Sequence, residues 1–123
     1  VVMYACNWMT NQGLSSEVTR IYNTFNGTRL QLGYASKMYL DSREGYMFGQ
    51  NLQNQTVVNA FLRATRVYQP QQKNNDVIAR VMGYTNAKND YITTTSAAPS
   101  YSSSKNSFSI IVTETIPHTG RSV

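Results

Sequence analysis

The stretch "VVNAFLRATRVY" at 57–68 constrains the fold more than any other in this chain. Val57, Phe61, Ala64, Val67 and Tyr68 recur at helical spacing, Thr56 or Asn54 offers a capping side chain, and Pro70 stops the run. A helix with an apolar stripe must bury it against another element. The flanking segments supply that element. "VVMYACNWM" at 1–9 starts apolar and β-branched without strict alternation, the pattern of a strand covered on both faces. "RLQLGYAS" at 29–36, "DVIARVMGY" at 76–84 and "SFSIIVTETI" at 107–116 read as three more strands. Gly33 permits close backbone approach at the end of the first of these, and Pro117 ends the last.

Two further helices are expected. Ser15 or Ser16 can cap one that carries Val18, Ile21, Tyr22 and Phe25 and ends at Asn26-Gly27. A shorter one runs from about Arg43 to Leu52, weakened by Gly45 and Gly49. Strand, helix, strand, helices, strand and strand is an α/β order, with parallel pairing expected wherever a helix forms the crossover. The sequence therefore predicts one α/β domain over 1–123, a mainly parallel central sheet flanked by helices, and a Ser/Thr-rich surface loop at 93–106.

Composition narrows the function classes. The net charge is +5, but the basic residues stand singly along the chain with no recognised nucleic-acid-binding pattern, so no nucleic-acid partner is expected. No apolar run approaches the roughly 20 residues that span a bilayer, and residues 1–25 lack a signal-peptide pattern. No membrane span is expected. The absence of an initiator Met and the core-like first residues suggest a processed or excised segment. The one cysteine cannot form an internal disulfide. No His, Cys or acidic cluster has metal-ligand spacing and no Gly-rich phosphate loop occurs, so neither metal nor cofactor is expected. The sequons at Asn26 and Asn54 are explained at least as well by chance in an Asn-, Ser- and Thr-rich chain.

The chemistry-bearing candidates are few. Reactive groups in open α/β sheets collect at the carboxyl ends of strands, and Cys6 stands at such an end. A nucleophilic cysteine also needs a base and oxyanion donors; without them a strand-end thiol is an ordinary core residue. Asp41 and Glu44, three apart, read as a solvated loop pair. His118, in the tail after Pro117, reads as solvated and idle.

The ordered segments "VVMYACN", "LQLGYASKMYLDSREGYMFGQNL", "VVNAFLRATRVYQP" and "VIARVMGY" resemble the C-terminal half of the caspase-like, or caspase-hemoglobinase, fold. The resemblance is closest to uncharacterised bacterial members related to gingipains and clostripain. It covers about residues 1–84 and the last strand. It implies an incomplete half of an α/β sandwich, with Cys6 at the nucleophile position of a cysteine peptidase and Asn7 beside it. The family's substrate pocket falls on Gly33, Tyr34, Ala35, Ser36 and Asp41, and an acid at Asp41 would select a basic side chain. The family's histidine lies upstream of the cysteine, so the base would come from a missing N-terminal segment. An exposed central strand is an aggregation hazard, so Val1, Val2 and Tyr4 are expected to contact that segment or a second copy of the chain. The competing expectation is a non-catalytic secreted or surface assembly subunit on the same scaffold. A secreted or cell-surface location is the favoured one.

Overall fold

The computed structural model describes residues 1–9, 28–94 and 108–123. The helix expected over 15–25, the Asn26 sequon and most of the 93–106 loop lie outside the described residues. Three strands form one sheet: β1 (Leu30–Tyr34), β2 (Val77–Tyr84) and β3 (Phe108–Ile116), in the order β1-β2-β3. Between β1 and β2 lie α1 (Ser42–Asn51) and α2 (Val57–Tyr68). Among the described residues the domain is thus mixed α/β, with two helices and an antiparallel sheet.

The antiparallel sense corrects the mainly parallel sheet expected from element order. Tyr34 pairs with Ala79 and Leu30 with Gly83, so the chain leaves β1 and enters β2 at the same end of the sheet. One crossover helix would carry the chain back to the start of a parallel neighbour. Two packed helices go out and return, and the next strand must then run the other way. On the far side Val77 pairs with Ile116 and Tyr84 with Phe108, with a register shift between Val81 and Met82.

Parallel pairing survives in one place among the described residues. Val2 bridges Leu32 in the parallel sense. The Met3 N–H donates to the Leu32 carbonyl and the Leu32 N–H to the Val1 carbonyl, both at 2.9 Å. Residues 1–5 therefore flank β1 at the edge of the described sheet, where the sequence predicted a strand covered on both faces. Val1 is exposed and Val2 and Tyr4 are half-buried.

The predicted helix over 57–68 forms as read, with the Thr56 side chain accepting the Asn59 N–H and Pro70 falling in a 3-10 turn, Gln69–Gln71. Its buried face is wider than the predicted stripe. Val58, Ala60, Phe61, Leu62, Ala64 and Thr65 are buried, while Val57, Val67 and Tyr68 are only partly so. The cause is that α2 packs on two neighbours. Phe61 meets Tyr34 of β1 at 5.6 Å between ring centroids and Phe48 of α1 at 6.2 Å edge-on. Leu32, Val77, Ala79 and Val81 complete the core beneath it. Helix α1 begins where the Asp41 side chain accepts the Arg43 N–H, and its one buried residue is the carboxylic acid Glu44.

Candidate functional site

Cys6 sits in a turn over residues 6–9 that folds back on the end of β1. Two backbone bonds pin the turn: the Asn7 N–H donates to the Ser36 carbonyl at 2.9 Å and the Met9 N–H to the Tyr34 carbonyl at 2.8 Å. Asn7 adopts a left-handed φ of 57°, a conformation that Asn tolerates better than most residues. A third tie comes from the sheet, where the buried Arg80 guanidinium donates to the Met9 carbonyl at 2.9 Å and to Thr113 at 3.1 Å. Gly33 lets the turn approach, since a Cβ there would lie 3.3 Å from both the Met3 carbonyl oxygen and the Met9 sulfur.

The thiol at the tip is exposed. Its sulfur accepts the Met38 N–H at 3.4 Å, with the Met38 carbonyl at 3.9 Å. These contacts orient Sγ at the end of β1. The next residue, Tyr39, is held from inside the protein: its N–H donates to Gln69 Oε1 at 2.8 Å, and Gln69 Nε2 donates to its carbonyl at 2.9 Å. The same Nε2 donates to the Glu44 carboxyl oxygens at 3.0 and 3.2 Å. Glu44 also accepts from the Tyr34 hydroxyl at 3.0 Å, and that hydroxyl shares a 3.1 Å hydrogen bond with Thr65. A continuous set of bonds thus runs from the thiol through the chain at 38–39 to a buried carboxyl group.

Glu44 is 1% exposed, which corrects the solvated Asp41–Glu44 pair read from sequence. Burial pushes its carboxyl up to about 7, against the opposing pull of the Gln69 and Tyr34 donors. Burial and the nearby Glu44 charge push the Tyr34 and Tyr4 hydroxyls well above the usual phenol value. Among the described residues the buried Tyr4 hydroxyl has no hydrogen-bond partner.

The other candidates separate. Gly33, Tyr34 and Ala35 are buried beneath the turn, and Ser36 is half-buried with its hydroxyl bonded to the Lys37 carbonyl and the Ile78 N–H. The Asp41 carboxylate caps α1, pairs with Arg43 at 2.6 Å and accepts from Gln71 at 3.0 Å; these donors hold it well below the usual carboxylate range. Its charge is already matched within the chain. His118 is not idle: its Nδ1 lies 2.6 Å from Asp76 Oδ1 and its N–H donates to the same oxygen at 3.2 Å. It follows β3 and is bonded beside the start of β2, and among the described residues it makes no bond to Cys6.

Among the described residues no group of three or more His, Cys, Asp or Glu could hold a metal ion. No helix there is long and apolar enough to cross a membrane. A cavity of about 430 Å³ lies beside Val1, Arg29, Leu30 and Asp90, at the opposite end of β1 from Cys6. Sequence reasoning missed Met38, Thr65, Gln69 and Arg80 as supports of the turn. Their bonds span 25 to 71 residues of sequence separation, so no local pattern announces them.

Comparison with curated proteins and with solved structures gives no match. Residues 1–114 match a family described as a domain of unknown function, DUF6345. With nearly its whole length matched, from the turn that carries Cys6 into the last strand, the chain belongs to the DUF6345 family.

Proposed function

We propose that Cys6 is the nucleophile of a cysteine-dependent peptide hydrolase, and that this chain supplies the C-terminal, nucleophile-bearing part of a caspase-like domain. The observation that carries the reading is the exposed Cys6 thiol at the tip of a turn pinned to β1, its sulfur oriented by the Met38 N–H. In the proposed reaction Sγ adds to a peptide carbonyl carbon, the thiol proton passes to a base, and the base returns it to the departing amine. Water then hydrolyses the thioester. The base is a histidine of an upstream segment, because His118 is engaged by Asp76 and among the described residues makes no bond to Cys6. Asn7 or nearby N–H groups are assigned the oxyanion, although the Asn7 N–H itself is donated to the Ser36 carbonyl in this structure. Gly33, Tyr34 and Ala35 act from beneath the site, and Ser36 borders it. Asp41, held by Arg43, is a weak selector of basic side chains.

The upstream segment, or a second copy, would lie along the edge formed by Val1, Val2 and Tyr4. In the parallel pairing with β1, Val2 turns its own N–H and carbonyl away from Leu32, which suits a further strand. A second reading, a non-catalytic assembly subunit, is favoured by one observation: among the described residues no imidazole is bonded to Cys6.

A peptidyl acyloxymethyl ketone applied to the full-length protein near neutral pH separates the two. Rapid labelling at Cys6, lost in Cys6→Ser and retained in His118→Ala, supports the hydrolase. A Cys6 that reacts no faster than a free thiol rejects it in favour of the assembly subunit.

A further inference from the structure

The buried polar cluster beneath the Cys6 turn does more than fill space. Its hydrogen-bonded members come from three elements, Tyr34 from β1, Glu44 from α1, and Thr65 with Gln69 from α2 and its end, and the Tyr4 ring of the N-terminal segment packs beside Tyr34. The Tyr34–Thr65 bond can run in either direction. With Glu44 ionised, Thr65 donates to Tyr34 and Tyr34 to the carboxylate. With Glu44 protonated, its hydroxyl donates to Tyr34 and Tyr34 to Thr65. Each protonation state keeps this chain of bonds, so the geometry accommodates a proton that comes and goes. The one unmatched member is the Tyr4 hydroxyl, whose ring lies 6.3 Å from that of Tyr34 and which the Glu44 charge reaches. A buried hydroxyl without a partner is unfavourable, and a buried carboxylate with neutral donors alone gains from one more.

We propose that this cluster is a proton-operated latch: when Glu44 ionises, the Tyr4 hydroxyl turns to donate to its carboxylate and draws the segment that carries Cys6 towards the core. The latch acts two residues before the thiol, while Gln69 and Tyr39 hold the segment on the other side of it. Glu44 changes charge at about pH 7, inside the physiological range. The titratable groups facing it are Tyr4 and Tyr34, both neutral there, and on its own element Asp41, which Arg43 pairs. Thr65 and Gln69 from α2 and its end carry no charge. The latch stands on this geometry whether or not Cys6 is catalytic.

Trp8 is the sole tryptophan, four residues after Tyr4 and packed beside Gly33, so its emission reports the position of the turn. Its fluorescence is titrated from about pH 5 to about pH 9 in the full-length protein, or in this chain where other tryptophans intrude. The expected result is a sigmoidal change with a midpoint near 7 that Glu44→Gln abolishes, Tyr4→Phe largely removes and His118→Gln leaves intact. Tyr4→Phe deletes only an unpartnered hydroxyl, so it keeps the test decisive should Glu44→Gln not fold. A flat wild-type profile, a transition of full amplitude in Tyr4→Phe, or one lost in His118→Gln overturns the proposal.

Discussion

The Tyr34 hydroxyl meets the Glu44 carboxyl group at 3.0 Å in the interior, and the remaining donor to that carboxyl is an amide, that of Gln69. Among the described residues no cation shares the site, so ionising Glu44 places a charge where neutral dipoles receive it. The folded state therefore holds its proton up to about 7, while the unfolded chain releases it near 4.5. Between those values the native state binds more protons, and stability falls as pH rises. The predicted loss from this group is about 3 kcal/mol in all, most of it between pH 4.5 and 7 and the remainder within about a unit above. Urea unfolding across that range measures the slope, and Glu44→Gln should flatten it.

Phe61 is fully buried and touches aromatic rings on both neighbours of α2. Phe61→Ala removes the aromatic contacts by which α2 packs on both α1 and the sheet. A cost of about 3–5 kcal/mol is expected, read as a lowered urea midpoint with far-UV circular dichroism still native in dilute buffer.

Two glycines should respond in opposite directions. A Cβ at Gly83 would lie 2.3 Å from the Arg29 carbonyl oxygen and 3.1 Å from Leu30 Cα, both main-chain atoms of or beside β1. Gly83→Ala must push β1 away from β2, and amide exchange should accelerate across Leu30–Tyr34. Gly45, inside α1, has nothing within 4 Å of an added Cβ. Gly45→Ala should stabilise by about 0.5–1 kcal/mol through a less flexible unfolded chain and a better helix former.

The ion pairs differ in burial, and their contributions should differ with it. Arg29 and Asp90 form a two-pronged pair at 2.6 and 3.0 Å with side chains 15% and 13% exposed. Arg66 and Glu114 have the same fork at 2.6 Å, but Arg66 is 52% exposed. Double-mutant cycles to Ala should give under about 1 kcal/mol for Arg66–Glu114 and a larger coupling, less sensitive to salt, for Arg29–Asp90.

What the chain determined by itself was local. The helix over 57–68 follows from its cap, its apolar spacing and Pro70, and β1, β2 and β3 follow from short apolar runs bounded by turns, because these signals act within a few residues. The close approach at Gly33 was legible for the same reason, whereas the strand expected over 1–5, with Cys6 at its end, forms only the Val2–Leu32 bridge. Sheet sense was not, because it depends on how α1 and α2 pack on each other before the chain returns at Val77. Nor was the fate of the acids. Glu44 and Asp41 stand three apart with similar chemistry, yet one is enclosed by Tyr34 and Gln69 and the other is paired with Arg43. Only the packing of β1, α1 and α2 decides which carboxyl group loses water, and the water it loses sets its proton affinity. His118 likewise gains Asp76 only because antiparallel pairing brings the end of β3 beside the start of β2.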